Sequence, residues 1–437
     1  MALPSLQYDR FYTTDEIVTF LGELTEARPD LCRLGILGQP RAGTDIPFLT
    51  LTDFTPEDAA IRPAMLIHGG IHAHEPASAH GPLYTARRLI EDHTHDGLLT
   101  QVAFHILPRL TVDASDFCIS TSTRVRSRTD FDNQEPDVIY PEDIDGNGLI
   151  LKMRQSHPDG YYVTDPQDPR LLIRRQPESP PPYYRTFPEG LIHDWSGTDA
   201  VRRAGWDSFY PDQPELAGGR NYDWNRNWPH NWRADQVGAG EHPLSEPEVQ
   251  LVHDHLVEHL EISVVLGYHT GKASVIRPPA SGSRSDLDPE DDRVLQELAE
   301  LGASLTGTPI LSLVGPGNRG KGGHALDTLH YRLKRLAFEI ELGTVLNDAG
   351  LSPDEELTLD RPGEEDWMRR LLRWWDARGQ DFPLCEPWTP WTHPQLGEVE
   401  LGGLHDTTLD NPLVSGLETT LEGRHQFTLE LAQRHCR

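Results

Sequence analysis

The feature that most constrains the fold of this chain is an alternation of short apolar runs with longer stretches of helical spacing. Ala64–His68 (AMLIH) is an apolar run that stops at Gly69-Gly70, as a buried strand entering a turn does. Ser78–Glu91 follows with Leu83, Ala86, Leu89 and Ile90 at helical spacing. Val102–Leu107 reads as a second strand, closed by Pro108. Ser245 is placed as an N-cap, with Pro247 early in the helix and Glu248 three residues after the cap, which predicts a helix through about Leu260. Ile262–Tyr268 then reads as a strand, Pro289–Leu305 as a helix and Leu336–Leu342 as a strand. This β-then-α rhythm predicts an α/β sheet covered by helices on both faces.

Two regions break the rhythm. From Phe117 to Gly218 the chain is rich in Pro, Asp, Arg and Tyr, and it is too long for an ordinary connection. It reads as an insertion packed on the sheet or as a lid. After Val345 a second extra segment holds a helix, Asp366–Arg378, with Trp367, Leu371, Leu372, Trp374 and Trp375, followed by a strand-like Gly397–Leu401. Core packing against the main domain is the favoured role of those tryptophans. The division expected is a catalytic unit over residues 1–345, including the insertion 117–218, and an extension over 346–437 packed on it.

Composition narrows the function. The 437 residues carry 39 Lys and Arg against 69 Asp and Glu, a formal charge of −30. A surface this acidic repels phosphate backbones and anionic membranes, so neither nucleic acid nor membrane is an expected partner. No apolar run approaches the roughly 20 residues of a bilayer span, and the first twenty residues lack the pattern of a secretory signal. Cys32, Cys118, Cys385 and Cys436 are widely spaced and predict neither a disulfide framework nor a thiolate metal site. Cytoplasmic residence is the expectation.

The chemistry concentrates in HGGIHAHEPAS, residues 68–78. His72 and Glu75 stand three apart just past a strand end, where one turn of backbone brings imidazole and carboxylate to a common side. A catalytic zinc takes three protein ligands and keeps a fourth position for water. His269 is the natural third ligand, because it follows the strand ISVVLGY and ligand sites in open α/β sheets collect beyond the carboxyl ends of strands. Further on stand GRNYDWNRNWPHNW at 219–232 and LAFEIELGT at 336–344.

In these residues the sequence resembles the zinc metallocarboxypeptidases, the carboxypeptidase A/B-like family, over roughly residues 8 to 345. Four motifs appear in the family's order. They are Gly70-Ile71-His72-Ala73-His74-Glu75, Asp223-Trp224-Asn225-Arg226-Asn227-Trp228, His269-Thr270, and Phe338-Glu339-Ile340-Glu341-Leu342. The long insertion and the tail resemble a bacterial or archaeal branch. The resemblance implies a mixed, largely parallel twisted sheet and one Zn2+ held by His72, Glu75 and His269. It implies a zinc-activated water with Glu341 as general base, and Glu339, on the same side of the strand, as its rival. Arg226, helped by Asn225, would bind a substrate's free C-terminal carboxylate, and Asp223 would orient a zinc histidine. An upstream arginine would stabilise the oxyanion. STRVRSRTDF offers Arg124, Arg126 and Arg128, with Arg126 and Arg128 preferred and the choice between them open.

Departures from the family pattern are specific. His74 stands where the family usually has Arg, and the family's Asn-Pro-Asp-Gly turn is replaced by Thr111-Val112-Asp113-Ala114. The loop Pro316–Gly323 carries no tyrosine to close over substrate, and Tyr331 lies too near Glu341 in sequence to serve. Leu326 occupies the position that often sets side-chain preference and hints at an apolar pocket. Separately, Asp143, Asp145 and Asn147 alternate ahead of Gly148, like the first half of an EF-hand calcium loop. The twelfth position is Arg154, so a tight turn without Ca2+ is preferred there. The resulting expectation is a metallocarboxypeptidase acting on a peptide or small amide. Its rivals are a deacylase or cell-wall peptide amidase on the same scaffold, and a zinc-containing peptide-binding protein without activity.

Overall fold

The computed structural model describes residues 2–55, 62–128, 134–204, 217–218, 222–315, 320–351 and 364–436. The chain runs α1 Thr14–Ala27, β1 Cys32–Gly38, β2 Ile46–Leu51, β3 Ala64–His68, α2 His80–Asp96, β4 Ala103–Leu107 and α3 Val112–Thr121. The insertion follows as short strands: β5 Val138–Pro141, β6 Lys152–Ser156, β7 Tyr162–Thr164, β8 Leu172–Arg174, β9 Tyr184–Pro188, β10 Gly190–His193, β11 Arg202–Ala204 and β12 Ala217–Gly218. Then come α4 Pro247–Glu258, β13 Ile262–His269, β14 Ser274–Ile276, α5 Pro289–Thr306, β15 Ile310–Leu311, α6 Ala325–Asp327 and β16 Leu336–Glu341. The last part holds α7 Val345–Asp348, α8 Glu364–Ala377, β17 Cys385–His393, β18 Gly397–Leu404, α9 Asp406–Leu409 and α10 Leu417–His435.

An eight-stranded mixed sheet in the order β1-β2-β4-β3-β13-β16-β14-β15 forms the centre. Its middle four strands, β4, β3, β13 and β16, are mutually parallel. Alternation along each strand sends side chains to two cores. Met65, Ile67, Phe104, Ile106, Val264, Leu266, Phe338 and Ile340 join one core with α1, α2, α5 and α10. Leu66, Ala103, Leu107, Val265 and Ala337 join the other with Val249, Val252 and Leu256 of α4. Helices thus cover both faces, as the rhythm predicted.

One boundary differs from the sequence reading. Helix α4 begins at Pro247 with Glu246, not Ser245, in the N-cap position. Ser245 is drawn off by tertiary contacts, its hydroxyl bonding Glu246 Oε1 at 3.1 Å and accepting from Asn227 Nδ2 at 2.9 Å.

The insertion and the tail fold together. β17 and β18 pair with each other and then with β6, giving a six-stranded sheet in the order β17-β18-β6-β9-β7-β8. Trp367, Trp374 and Trp375 pack into a small core of their own with Leu371, Leu372, Leu384 and Leu171. The terminal helix α10 lies on the main sheet, with Leu417, Leu421, Phe427 and Leu431 fully buried in the first core. Among the described residues no helix is long and apolar enough to cross a membrane, and all four cysteines are free and buried.

Candidate active site

The carboxyl ends of three adjacent parallel strands build the site. β3 feeds the loop carrying His72 and Glu75, β13 ends at His269, and β16 ends at Glu341, which lies opposite His269 in the ladder. The turn after β3 demands glycine. A Cβ at Gly69 would come within 2.5 Å of the Ser78 carbonyl oxygen, and Gly70 has a φ of +60°. Thr111 pins this turn from outside, its backbone N–H and hydroxyl both donating to the Gly70 carbonyl.

His72, Glu75 and His269 converge. His72 Nδ1 lies 2.8 Å from Glu75 Oε1 and 3.2 Å from His269 Nδ1, and His269 Nδ1 lies 3.0 Å from Glu75 Oε2. Donors around a tetrahedral zinc, with bonds of roughly 2.0–2.1 Å, stand about 3.3 Å apart, so the set fits one ion of that size and chemistry. All three residues are buried. The far nitrogen of each imidazole faces a carboxylate. His72 Nε2 is 3.3 Å from Asp223 Oδ1, and His269 Nε2 is 3.6 Å from Glu339 Oε1.

Electrostatics favour a cation at this point. Burial pushes the His269 imidazolium down, but Glu339 and Glu75 outweigh it and hold the pKa well above the usual histidine range. Burial alone would raise Glu75, yet His72 and His269 hold its carboxyl well below the ordinary value. Asp223 is likewise held low against burial by Arg126, Arg226 and His72. Glu339 falls to about 2 because His324 and His269 overcome its burial. Glu341 moves the other way, burial and the charges of Glu75 and Glu339 pushing it well above 4.5. Its Oε2 is buried without a hydrogen-bond partner among the described residues. A side chain at Gly271 would come within 2.9 Å of that oxygen, so glycine there leaves the carboxylate its space.

Asp223 caps the short 3-10 turn Trp224–Arg226, its carboxylate accepting from Asn225 N at 2.8 Å. Arg226 is therefore tied by one turn of backbone to a residue that touches a triad histidine. Its Nη1 donates to the Asn225 carbonyl at 2.5 Å, and Nη2 lies 3.6 Å from Asp223. Asn225 Oδ1 accepts from Ala325 N at 3.3 Å.

The two preferred arginines part company. Arg126 reaches the centre, with Nη1 3.4 Å from Glu75 Oε1 and Nε 3.2 Å from Asp223 Oδ2. Arg128 does not, since it pairs with Glu246 at 3.0 Å and covers the Tyr222 ring at 4.5 Å. The chain bends at Arg126 and Ser127, so the alternation of an extended strand does not apply. Arg124 turns to Asp410. Leu326 is 1% exposed and packed in the second core. The calcium reading gains no support. Asp143 accepts from the backbone of Gly146, Asn147 and Gly148, and Asn147 Oδ1 accepts from Leu149 N, so these groups close their own turn. Residues 316–319 of the glycine-rich loop and 219–221 ahead of Tyr222 lie outside the described residues.

Sequence reasoning missed the support beneath the zinc loop. His74 Nδ1 lies 3.2 Å from Asp410, and its Nε2 lies 3.1 Å from Arg126 Nη1. Burial lowers His74 to about 4, so the ring is neutral and its Nε2 can accept from the guanidinium. Asn411 accepts from Ala77 N and donates to the His74 carbonyl. Nothing local announces such contacts across more than 300 residues.

The carboxyl ends of parallel strands in a mixed sheet thus bring together a His-Glu-His set that could hold a metal ion, with Glu341 paired opposite His269. A profile of the zinc carboxypeptidase family matches residues 17–142 and 153–333, and the chain belongs to that family. It is similar to carboxypeptidase B of Helicoverpa zea, 27% identical over 142 residues, which are 32% of this chain and 33% of that relative. The fold is similar to thrombin activatable fibrinolysis inhibitor, at a TM-score of 0.52 and 14% identity, covering 98% of this chain and 75% of that one. It is also similar to carboxypeptidase A of Helicoverpa armigera, at 0.51 and 14%, covering 86% and 76%.

Proposed function

We propose that this chain is a zinc-dependent carboxypeptidase that removes C-terminal residues from peptides. His72, Glu75 and His269 would hold the metal, with Asp223 and Glu339 fixing the two imidazoles through their far nitrogens. Zinc bound there supplies a water with a pKa near 7 and a Lewis acid for the scissile carbonyl. Glu341 takes the proton of the attacking water and delivers it to the leaving nitrogen. Its raised affinity for a proton suits a group that must accept one and give it back. Arg126, which reaches Glu75 and Asp223, would stabilise the oxygen that becomes negative as the carbonyl is attacked. Arg226 offers a planar fork to a terminal carboxylate, and Asn225 lies next to it in the same turn.

The observation that carries this reading is the buried, unpartnered Glu341 Oε2 beside a triad whose donors stand 2.8 to 3.2 Å apart. A carboxylate oxygen buried without a hydrogen bond costs stability, and a proton-transfer role accounts for its being kept. The test compares N-acyl dipeptides with the same compounds amidated at the C-terminus. The expected result is at least about a tenfold higher kcat/KM for the free acids, the scale of one charge-assisted contact to Arg226. Equal rates would contradict exopeptidase action and favour an amidase working without a terminal carboxylate.

A further inference from the structure

A second cluster of imidazoles lies outside this centre, on the face of the sheet covered by α4. His105 stands in the middle of β4 and is 5% exposed. His255 is in the last turn of α4 and His259 caps it, four residues later, so both rings project from one side of the helix end. Glu261 follows where the chain turns into β13, its carbonyl accepting from Ala64 N at 2.8 Å. The ring centroids are 5.1 Å apart for His105 and His255, 5.2 Å for His105 and His259, and 4.3 Å for His255 and His259.

We propose that His105, His259 and Glu261 form a second binding site for a divalent cation of the zinc class, distinct from the catalytic centre. One ligand atom from each of the three lies within 4.8 Å of the other two, so a single ion needs only small side-chain rotations to reach all of them. His255 Nε2 lies 2.9 Å from His105 Nδ1 and holds that ring, as an outer partner does for a ligating imidazole. Phe48 stands edge-on to His105 and His255, at 5.5 and 4.8 Å, and fixes both planes. The donors come from a central strand, a helix end and a strand start, so the fold sets their spacing. Two imidazoles with one carboxylate select zinc-like ions over Ca2+ or Mg2+, which prefer oxygen alone. The side chains of His259 and Glu261 are 39% and 28% exposed, which gives the ion a route in and leaves its remaining position to water.

The experiment uses the full chain, stripped with a chelator, dialysed against Zn2+ and counted for zinc by plasma mass spectrometry. Wild type is expected to hold one equivalent more than His259→Ala, whatever the catalytic centre holds. Because His259 is partly exposed, the variant should unfold at the wild-type temperature when both are metal-free, and its peptidase turnover should be unchanged. Glu261→Gln is the second variant and should also lose the extra equivalent. A His269→Ala chain should keep it, so failure of the carboxypeptidase reading leaves this count intact. Equal zinc content in wild type, His259→Ala and Glu261→Gln would overturn the proposal.

Discussion

The two histidine clusters use the same donor types and differ in what stands behind them. Around His72 and His269, carboxylates face both far nitrogens, every donor is buried, and a spare acid waits alongside. Around His105 and His259 the support is one more imidazole and the ring of Phe48, and the outer side chains meet solvent. The first arrangement fixes ring orientation and ligand basicity and sets a carboxyl alongside, as the proposed peptidase turnover needs. The second, as proposed, offers coordination alone, which suits an ion that joins a helix end to the sheet.

The largest effect that sharpens this contrast comes from Glu341→Gln. It should lower kcat by about 100- to 10,000-fold, the range for loss of a general base, while zinc content stays at the wild-type level. If turnover persists, the spare acid is not the base. Next come Asp223→Asn and Glu339→Gln, each of which should weaken zinc binding or activity by about 10- to 100-fold as read by competition with a chelator. A change in only one of them would break the symmetry argued for the two imidazoles.

The smallest effect concerns stability. Glu248, buried near the start of α4, is pushed by burial to about 7, with Glu246 adding to the rise. A carboxyl whose folded pKa lies above its unfolded value contributes stability below about 4.5 that is lost as pH climbs through 7. Glu248→Gln should remove that decline and raise Tm at pH 8 by about 2 °C, on the order of 1 kcal/mol, in a thermal melt. Zinc content at the far end of the same helix should not move. A variant that loses zinc as well would show that the second cluster depends on helix stability and not on its own donors.

The sequence carries a local signal for the residues that the structure brings together. His72, Glu75, His269 and Glu341 sit at the ends of apolar strands, where period and position speak together. The same holds for the α/β core, whose strands and helices follow their own hydrophobic pattern. The surroundings of Arg128 and Leu326 are set by Glu246 and by the second core, contacts that no local spacing encodes. The contribution of α10, and of Asp410 and Asn411 beneath the zinc loop, depends on contacts spanning hundreds of residues. His255 and His259 did leave a signal, four apart at the end of a predicted helix, but their strand partner His105 is visible only in three dimensions.

The most direct measurement is an anomalous difference map at the zinc edge from crystals of the full chain grown with Zn2+. The expected result is a peak between His72 Nδ1, His269 Nδ1 and the Glu75 carboxylate, with Glu341 facing it. Zinc bound elsewhere and no density among those three donors would contradict it.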